Sequence, residues 1–152
     1  MSMQLTSSAF SAGQAIPVKY SCKGNNISPA LAWSNAPANT KSFALIVDDP
    51  DAPSGIWVHW VAFNIPATVT SLPEAVPTGA QLANGGLQGK NSSSHMGYDG
   101  PCPPSGTHRY FFKLYALDAV LNLSSDANKS QLLQAMQGHV LAQGELMGTF
   151  SK

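Results

Sequence analysis

Prolines and glycines are distributed so densely before residue 107 that little of this region can be helical. The chain has 152 residues, among them 11 prolines and 13 glycines. Proline in a helix interior removes a hydrogen bond and clashes with the preceding turn. Runs rich in β-branched and aromatic residues, bounded by Gly, Pro, Asn or Ser, occupy residues 17–20, 42–48, 57–65 and 109–117. Such runs predict strands, so the fold is predicted to be mostly β.

The stretches between these runs, residues 25–41 and 66–94, lack helical periodicity, and we expect packed loops with short edge strands. Only the C-terminal third is predicted to be helical, with Ser124 or Ser125 as the cap. Gly138 is expected to divide this region into two short helices before the last residues return as a strand. The apolar residues that recur there at spacings of three and four are Leu132, Leu133, Met136 and Val140.

Length and charge exclude several classes of protein. A chain of 152 residues forms one domain, residues 1–152. Eight basic residues balance eight acidic ones, so the chain lacks the basic field that nucleic acids require. The apolar runs are far shorter than the ~20 residues of a membrane span. No leader precedes them, which predicts a cytoplasmic protein, with a periplasmic location after removal of an export signal as the alternative.

The two cysteines, Cys22 and Cys102, both lie in loops rich in glycine and proline. Two cysteines are too few for a disulfide scaffold, and their spacing is not that of a zinc ribbon. The sequence leaves two interpretations open, which are a pair of unrelated thiols and a facing pair that oxidises in an exporting compartment.

Polar residues at strand ends are the candidates for chemistry. Side chains alternate along a strand, so Trp57, His59, Val61 and Phe63 are predicted to share one face. The same alternation places the side chains of His108 and Tyr110 on one face of their strand, where both can reach one ligand. Arg109 points the other way and is predicted to pair with Asp51 or Asp48.

Each of these residues also has a structural explanation, since aspartates cap turns and histidines occur hydrogen-bonded in cores. Their joint occurrence favours an anion pocket. Backbone N–H groups exposed by Gly100 and Gly106, together with imidazole donors, can replace the water around a phosphate oxygen. A nearby carboxylate, Asp49, can orient an imidazole or accept a proton from the ligand.

The order of the motifs resembles that of the phosphatidylethanolamine-binding protein family, which includes the Raf kinase inhibitor proteins. DPDAP comes first, then a Trp-x-His strand, then Gly-x-x-Pro-Pro-x-Gly leading into His-Arg-Tyr. The segments NISPALAW and GHVLAQGELMGTFSK are similar to those of its compact bacterial branch. The likeness runs from about Phe10 to Phe150. In that branch the segment before GYDGP is less polar than NSSSHMGY, which contains His95 here.

The resemblance implies a large antiparallel sheet packed on a smaller one, with short C-terminal helices and a pocket at one edge. It implies a non-enzymatic protein, without cofactor or metal, that binds a small anion or a phosphorylated head group. Several family members inhibit kinases or serine proteases, and the bacterial branch often forms homodimers. The loops of Cys22 and Cys102 face each other in exported relatives. The implied pocket residues are Asp49, His59, Tyr98, Pro103, Pro104, His108 and Tyr110, supported by Asp51, Trp57, Gly100 and Arg109.

Two alternatives remain at this stage. Two histidines and two carboxylates also match the ligands of zinc or iron, which would make the chain a metal-dependent hydrolase. A scarcity of surface charge leaves room for an apolar patch and hence for a dimeric interaction module.

Overall fold

The computed structural model describes residues 3–152, which form eight strands and one α-helix. The elements in chain order are β1 (Gln4–Thr6), β2 (Leu31–Ser34), β3 (Ser42–Asp49), β4 (Trp57–Pro66), β5 (Ser71–Leu72), β6 (Leu87–Gln88), β7 (Thr107–Leu117), α1 (Lys129–Met136) and β8 (Val140–Ser151). The larger sheet has the order β6-β4-β3-β7-β8, and the smaller has the order β1-β2-β5. All pairings between these strands are antiparallel.

Strand β3 is the centre of the molecule, because all eight of its residues are buried. Phe43, Leu45 and Val47 pack with the smaller sheet, in a core that includes Leu31 and Trp33. Ala44 and Ile46 face the other way, in a second core that contains Leu132 and Met136 of α1. A strand covered on both faces reads as a continuous apolar run, which is what residues 43–47 show.

The predicted fold class is confirmed, since the chain is mostly β with a larger sheet packed on a smaller one. Runs 42–48, 57–65 and 109–117 form β3, β4 and β7. The strand predicted at residues 17–20 is wrong, because Val18–Tyr20 form a 3-10 helix. Pro17 begins this turn, and its carbonyl accepts the Tyr20 N–H at 3.1 Å.

The C-terminal prediction needs two corrections. The helix cap is Asn128 rather than Ser124 or Ser125: its side chain accepts the Gln131 N–H at 2.9 Å, and the Gln131 side chain accepts the Asn128 N–H at 2.9 Å. One α-helix forms in place of two short ones, because Gly138 adopts a left-handed φ of 81° and turns the chain into β8. No helix within residues 3–152 has the length and apolar content needed to cross a bilayer.

A β-bulge in β4 changes the predicted faces of that strand. Val47 lies opposite Trp60 and Asp48 lies opposite Val58, so His59 is an extra residue in the pairing. The side chains of His59 and Trp60 therefore both lie on the side of the smaller sheet, whereas Val61 packs in the core beneath α1. The prediction that His59 and Val61 share a face is wrong, since strict alternation ends at the bulge.

Candidate functional site

A cavity of about 480 Å³ opens where the three central strands of the larger sheet begin or end, at the last residue of β3 and the first residues of β4 and β7. Most of the predicted site residues line it, and they come from three strand ends and the loop before β7. These residues are Asp49, Trp57, His59, Gly100, Pro103, Pro104, His108 and Tyr110, together with Cys22 and Cys102. Residues that are 59 positions apart in the chain, such as Asp49 and His108, therefore meet in one cavity.

Asp49 holds His108 in a buried pair. The Asp49 Oδ2 and His108 Nδ1 atoms are 2.6 Å apart, and 3% and 7% of the two residues are exposed. The other carboxylate oxygen of Asp49 accepts the Asp51 N–H at 2.7 Å, which fixes the carboxylate within the DPDAP turn. The pair orients the imidazole and leaves Nε2 of His108 for a ligand.

His59 is oriented by backbone groups. Its Nδ1 donates to the Asp99 carbonyl at 2.7 Å, and the Asp99 N–H donates to the His59 carbonyl at 3.0 Å. A carbonyl only accepts, so the proton of the neutral ring lies on Nδ1 and Nε2 carries a lone pair. Burial lowers the pKa of His59, despite the opposing bond to Asp99, which favours this neutral form.

Tyr110 carries the most unusual polar atom of the site. Within the described part of the chain, its hydroxyl is the one buried side-chain oxygen or nitrogen without a hydrogen-bond partner. Its ring lies 5.2 Å from that of His59 and 6.4 Å from that of His108, measured between centroids. Burial, followed by the negative charge of Asp49 and by the closeness of that carboxylate to the hydroxyl, raises the pKa of Tyr110, so the hydroxyl stays protonated and can donate. The Asp49 carboxylate and the Tyr110 hydroxyl do not meet the geometry of a hydrogen bond.

Asp51 and Arg109 form the predicted ion pair, next in the chain to the cavity residues Ala52 and His108. The Arg109 N–H and Nε–H both donate to Asp51 Oδ2 at 2.9 Å, and Nη2 donates to Oδ1 at 2.8 Å. These bonds lower the pKa of Asp51 to about 2. The pair ties the first residues of β7 to the turn after β3, and neither side chain lines the cavity.

The structure places three residues, Tyr98, Gly100 and Gly106, differently from expectation. Tyr98 lies outside the cavity lining: its hydroxyl donates to the Tyr20 carbonyl at 2.9 Å and its ring packs against Trp60. The Gly100 N–H donates to the side chain of Asn26 at 2.7 Å, so it is not free to bind an anion. Gly106 lies outside the lining as well. The expectation of an exposed backbone donor is therefore wrong at Gly100, and the side chains that line the cavity include imidazole and phenol groups.

Sequence reasoning missed Asp99 and the role of the His95 segment at the rim. The Asp99 carboxylate lies 3.1 Å from His95 Nδ1 and accepts from the Asn91 amide at 3.2 Å. His95 and Asp99 are four residues apart in a loop, which carries no periodic signal. The adjacency of Asp99 to Tyr98 was the one available hint.

The two cysteines are bonded to each other, with their Cα atoms 5.5 Å apart and a sequence separation of 80. This resolves the alternative that the sequence left open. The bond joins the loop after the 3-10 helix to the loop before β7, and both cysteines border the cavity.

The electrostatics of the cavity are unusual for an anion site. Its lining within residues 3–152 contains three histidines and two aspartates but no lysine or arginine. Three or more His, Cys, Asp or Glu side chains arranged to hold a metal ion do not occur among these residues either. A phenol donor, an imidazole lone pair and a carboxylate-paired imidazole together suit a small oxyanion that still carries a proton.

Comparison with known proteins identifies the family. A family model described as phosphatidylethanolamine-binding protein matches residues 6–151. A UPF0098 protein of Methanothermobacter thermautotrophicus is 53% identical over 150 residues, and one of Chlamydia muridarum is 50% identical over 155, each covering 99% of both chains. The solved structure of the phosphatidylethanolamine-binding protein homologue CT736 of Chlamydia trachomatis has a TM-score of 0.91 at 48% identity, over 99% of this chain and 98% of that one. YbcL of E. coli, described as a member of the mammalian family, has a TM-score of 0.92 at 35% identity, over 100% and 99%. The chain therefore belongs to the phosphatidylethanolamine-binding protein family.

Proposed function

We propose that this chain is a non-enzymatic binding protein whose cavity holds a small anion or a phosphorylated group. The observation that carries the proposal is the unpartnered, buried hydroxyl of Tyr110 between His59 and His108. Buried polar atoms in native proteins nearly always have a partner, so a hydroxyl without a protein partner beside a cavity is available to bind a ligand there. The name of the family, and of its relatives, supports a phosphorylated head group as that ligand.

The arrangement of donors and acceptors favours a phosphate that keeps one proton. The Tyr110 hydroxyl donates to one phosphate oxygen, and the neutral His59 accepts a proton through Nε2. His108, paired with Asp49, donates from Nε2 when it is protonated. The contact to His59 weakens as pH rises past the second pKa of a phosphate monoester, about 6, because the ligand then loses the proton that His59 accepts.

A calorimetric titration with inorganic phosphate and phosphoethanolamine at about pH 6 tests the proposal. We expect His59→Ala and His108→Ala each to lose about 1.5–3 kcal/mol of binding free energy, the size of a hydrogen bond to a charged group. His139→Ala is the matched control, because His139 pairs with Asp118 in an exposed position away from the cavity. Equal binding by all four proteins would refute the assignment of the cavity.

The finer parts of the proposal concern partners and location. A phosphorylated residue or head group borne by a larger molecule would bring that molecule to the cavity mouth, where binding could inhibit a kinase or a serine protease. The Cys22–Cys102 bond supports a periplasmic or otherwise oxidising location, since disulfides persist there. The homodimer stays a prediction, which sedimentation at several concentrations would test.

The alternative is a metal-dependent hydrolase, because histidines and carboxylates share the cavity, although no three of them among the described residues are arranged to hold a metal ion. Elemental analysis of the purified protein, with hydrolase assays before and after chelation, separates it from a binding protein. A stoichiometric metal with chelator-sensitive activity would replace the proposal.

A further inference from the structure

We propose that the Cys22–Cys102 disulfide is a thiol-exchange site whose opening lowers the affinity of the cavity for its anion. The inference rests on the proposed function, since it concerns the regulation of the same cavity. Both cysteines are exposed to solvent and both line the cavity. An exposed disulfide is open to attack by thiolates, in contrast to the buried bonds that only stabilise a fold.

The loop before β7 is held in place by hydrogen bonds only up to residue 101. The Tyr98 hydroxyl donates to the Tyr20 carbonyl at 2.9 Å, and the Gly100 N–H donates to Asn26 Oδ1 at 2.7 Å. The Cys22 N–H donates to the Pro101 carbonyl at 3.1 Å. These bonds fix the first half of the loop against residues 20–26, whether or not the disulfide is present.

The position of residues 102–105 depends on the disulfide. In the described part of the chain they make no hydrogen bond, and the next one along the chain is the Gly106 carbonyl accepting the Lys152 N–H at 3.0 Å. Pro103 and Pro104 have no N–H group to contribute, so they cannot gain one by a small movement. Among the described residues, the disulfide is thus the only covalent or hydrogen-bonded link between this segment and the rest of the chain. The buried Pro103 adds packing contacts.

This segment forms part of the wall of the cavity, because Pro103 and Pro104 both line it. With the disulfide closed, the wall is ordered before the anion binds. With the disulfide open, binding must also order the segment, which reduces the affinity. The hydrogen bonds up to residue 101 keep the rest of the fold unchanged.

The chemical step is thiol–disulfide exchange with a low-molecular-weight thiol or a dithiol. Its thiolate attacks one cysteine sulfur, a mixed disulfide forms, and the other cysteine leaves as a thiolate. A second thiolate attacks the mixed disulfide, so two thiols of the reductant become one disulfide and Cys22 and Cys102 become thiols.

The test compares phosphate binding by the oxidised protein with binding after treatment with a dithiol, with free thiols counted in both samples. We expect two thiols to appear and the dissociation constant to rise about tenfold, the size of the cost of ordering a short loop. Cys22→Ser/Cys102→Ser should bind like the reduced protein and not respond to the dithiol. Equal affinities in the two states, or a disulfide that the dithiol leaves intact, would overturn the proposal.

Limited proteolysis with a protease of broad specificity provides a second readout that does not need a ligand. Faster cleavage within residues 102–106 after reduction, with the strands of the larger sheet intact, supports a wall held by the disulfide, and unchanged cleavage contradicts it. If the oxidised protein does not bind phosphate at all, the proposed function fails, while proteolysis and the thiol count still decide whether the disulfide controls the wall.

Discussion

At the scale of single residues, two buried tyrosines near the cavity differ in one respect. The Tyr98 hydroxyl donates to the Tyr20 carbonyl, whereas the Tyr110 hydroxyl has no partner. Both residues are at most 5% exposed. Leaving a buried polar group unpaired destabilises a protein by about 1–3 kcal/mol. The Tyr98 hydroxyl therefore stabilises the fold, whereas the Tyr110 hydroxyl does not and is explained by the proposed binding of a ligand.

We therefore expect Tyr110→Phe to leave the free energy of unfolding unchanged or to raise it by about 1 kcal/mol, while phosphate affinity falls. Tyr98→Phe is the matched control, which should lower the free energy of unfolding by about 1 kcal/mol because the Tyr20 carbonyl loses its donor. Urea unfolding and calorimetry of the two variants measure both quantities. A Tyr110→Phe variant that loses stability but binds phosphate normally would contradict the assigned role.

The glycine at residue 100 shows how closely the two loops beside the cavity approach. A Cβ atom there would collide with the Tyr20 carbonyl, and the Gly100 N–H already bonds to Asn26. We expect Gly100→Ala to lower the free energy of unfolding by about 2 kcal/mol or more, because the collision involves backbone atoms that cannot move aside. Gly106→Asn is the control: there is open space around Gly106 and Asn tolerates its left-handed φ of 66°. Equal thermal midpoints for both variants would show that the loops can separate at little cost.

At the scale of elements, the Asp51–Arg109 pair connects the turn after β3 with the start of β7. Arg109 holds the pKa of Asp51 at about 2, below its ordinary 3.8. A lowered carboxyl pKa contributes stability above the ordinary value, and this contribution is lost as pH falls through about 2. The contribution is small, since 28% of the Asp51 side chain and 52% of the Arg109 side chain are exposed.

Arg109→Gln should accordingly reduce the free energy of unfolding at about pH 6, and the difference from the unmodified chain should shrink as the pH is lowered below 4. Replacement of the exposed Lys23 by Gln is the control for a lost positive charge. Urea titrations at a series of pH values measure the effect. A difference between the two proteins that is the same at all pH values would show that the Arg109 side chain acts through packing rather than through its charge.

At the scale of the whole molecule, the disulfide closes a loop of 80 residues that contains β2 to β6. Cross-linking distant parts of the chain mainly restricts the unfolded state. We expect Cys22→Ser/Cys102→Ser to lower the free energy of unfolding by about 2–5 kcal/mol, as measured by urea without reductant. The unmodified protein in excess dithiol should match the variant. A variant as stable as the oxidised protein would show that the unfolded chain gains little freedom from the lost bond.

Local patterns in the sequence were sufficient for the larger sheet. Residues 43–47 and 109–117 owe their strands to β-branched and aromatic side chains, which fit a pleated surface whatever the surroundings. Position 17–20 has a similar composition and forms a 3-10 helix, because only the packing of Tyr20 against the rest of the core selects the turn. The helix was predicted from the spacing of Leu132 and Met136, and the break from Gly138, but a second helix was expected because the apolar spacing continues to Val140, which is exposed and begins β8.

The sequence by itself determined the fold class and the chemical types at the site, because strand propensity and the motifs DPDAP and HRY are local properties of the chain. Tertiary structure alone decided that the His59 side chain joins the face of Tyr110, through a bulge set by the pairing of β3 with β4. It also decided that the Gly100 N–H is already occupied and that the Tyr110 hydroxyl is free. Hydrogen-bond partners come from residues distant in the chain, so no local pattern records which polar atoms are left for a ligand.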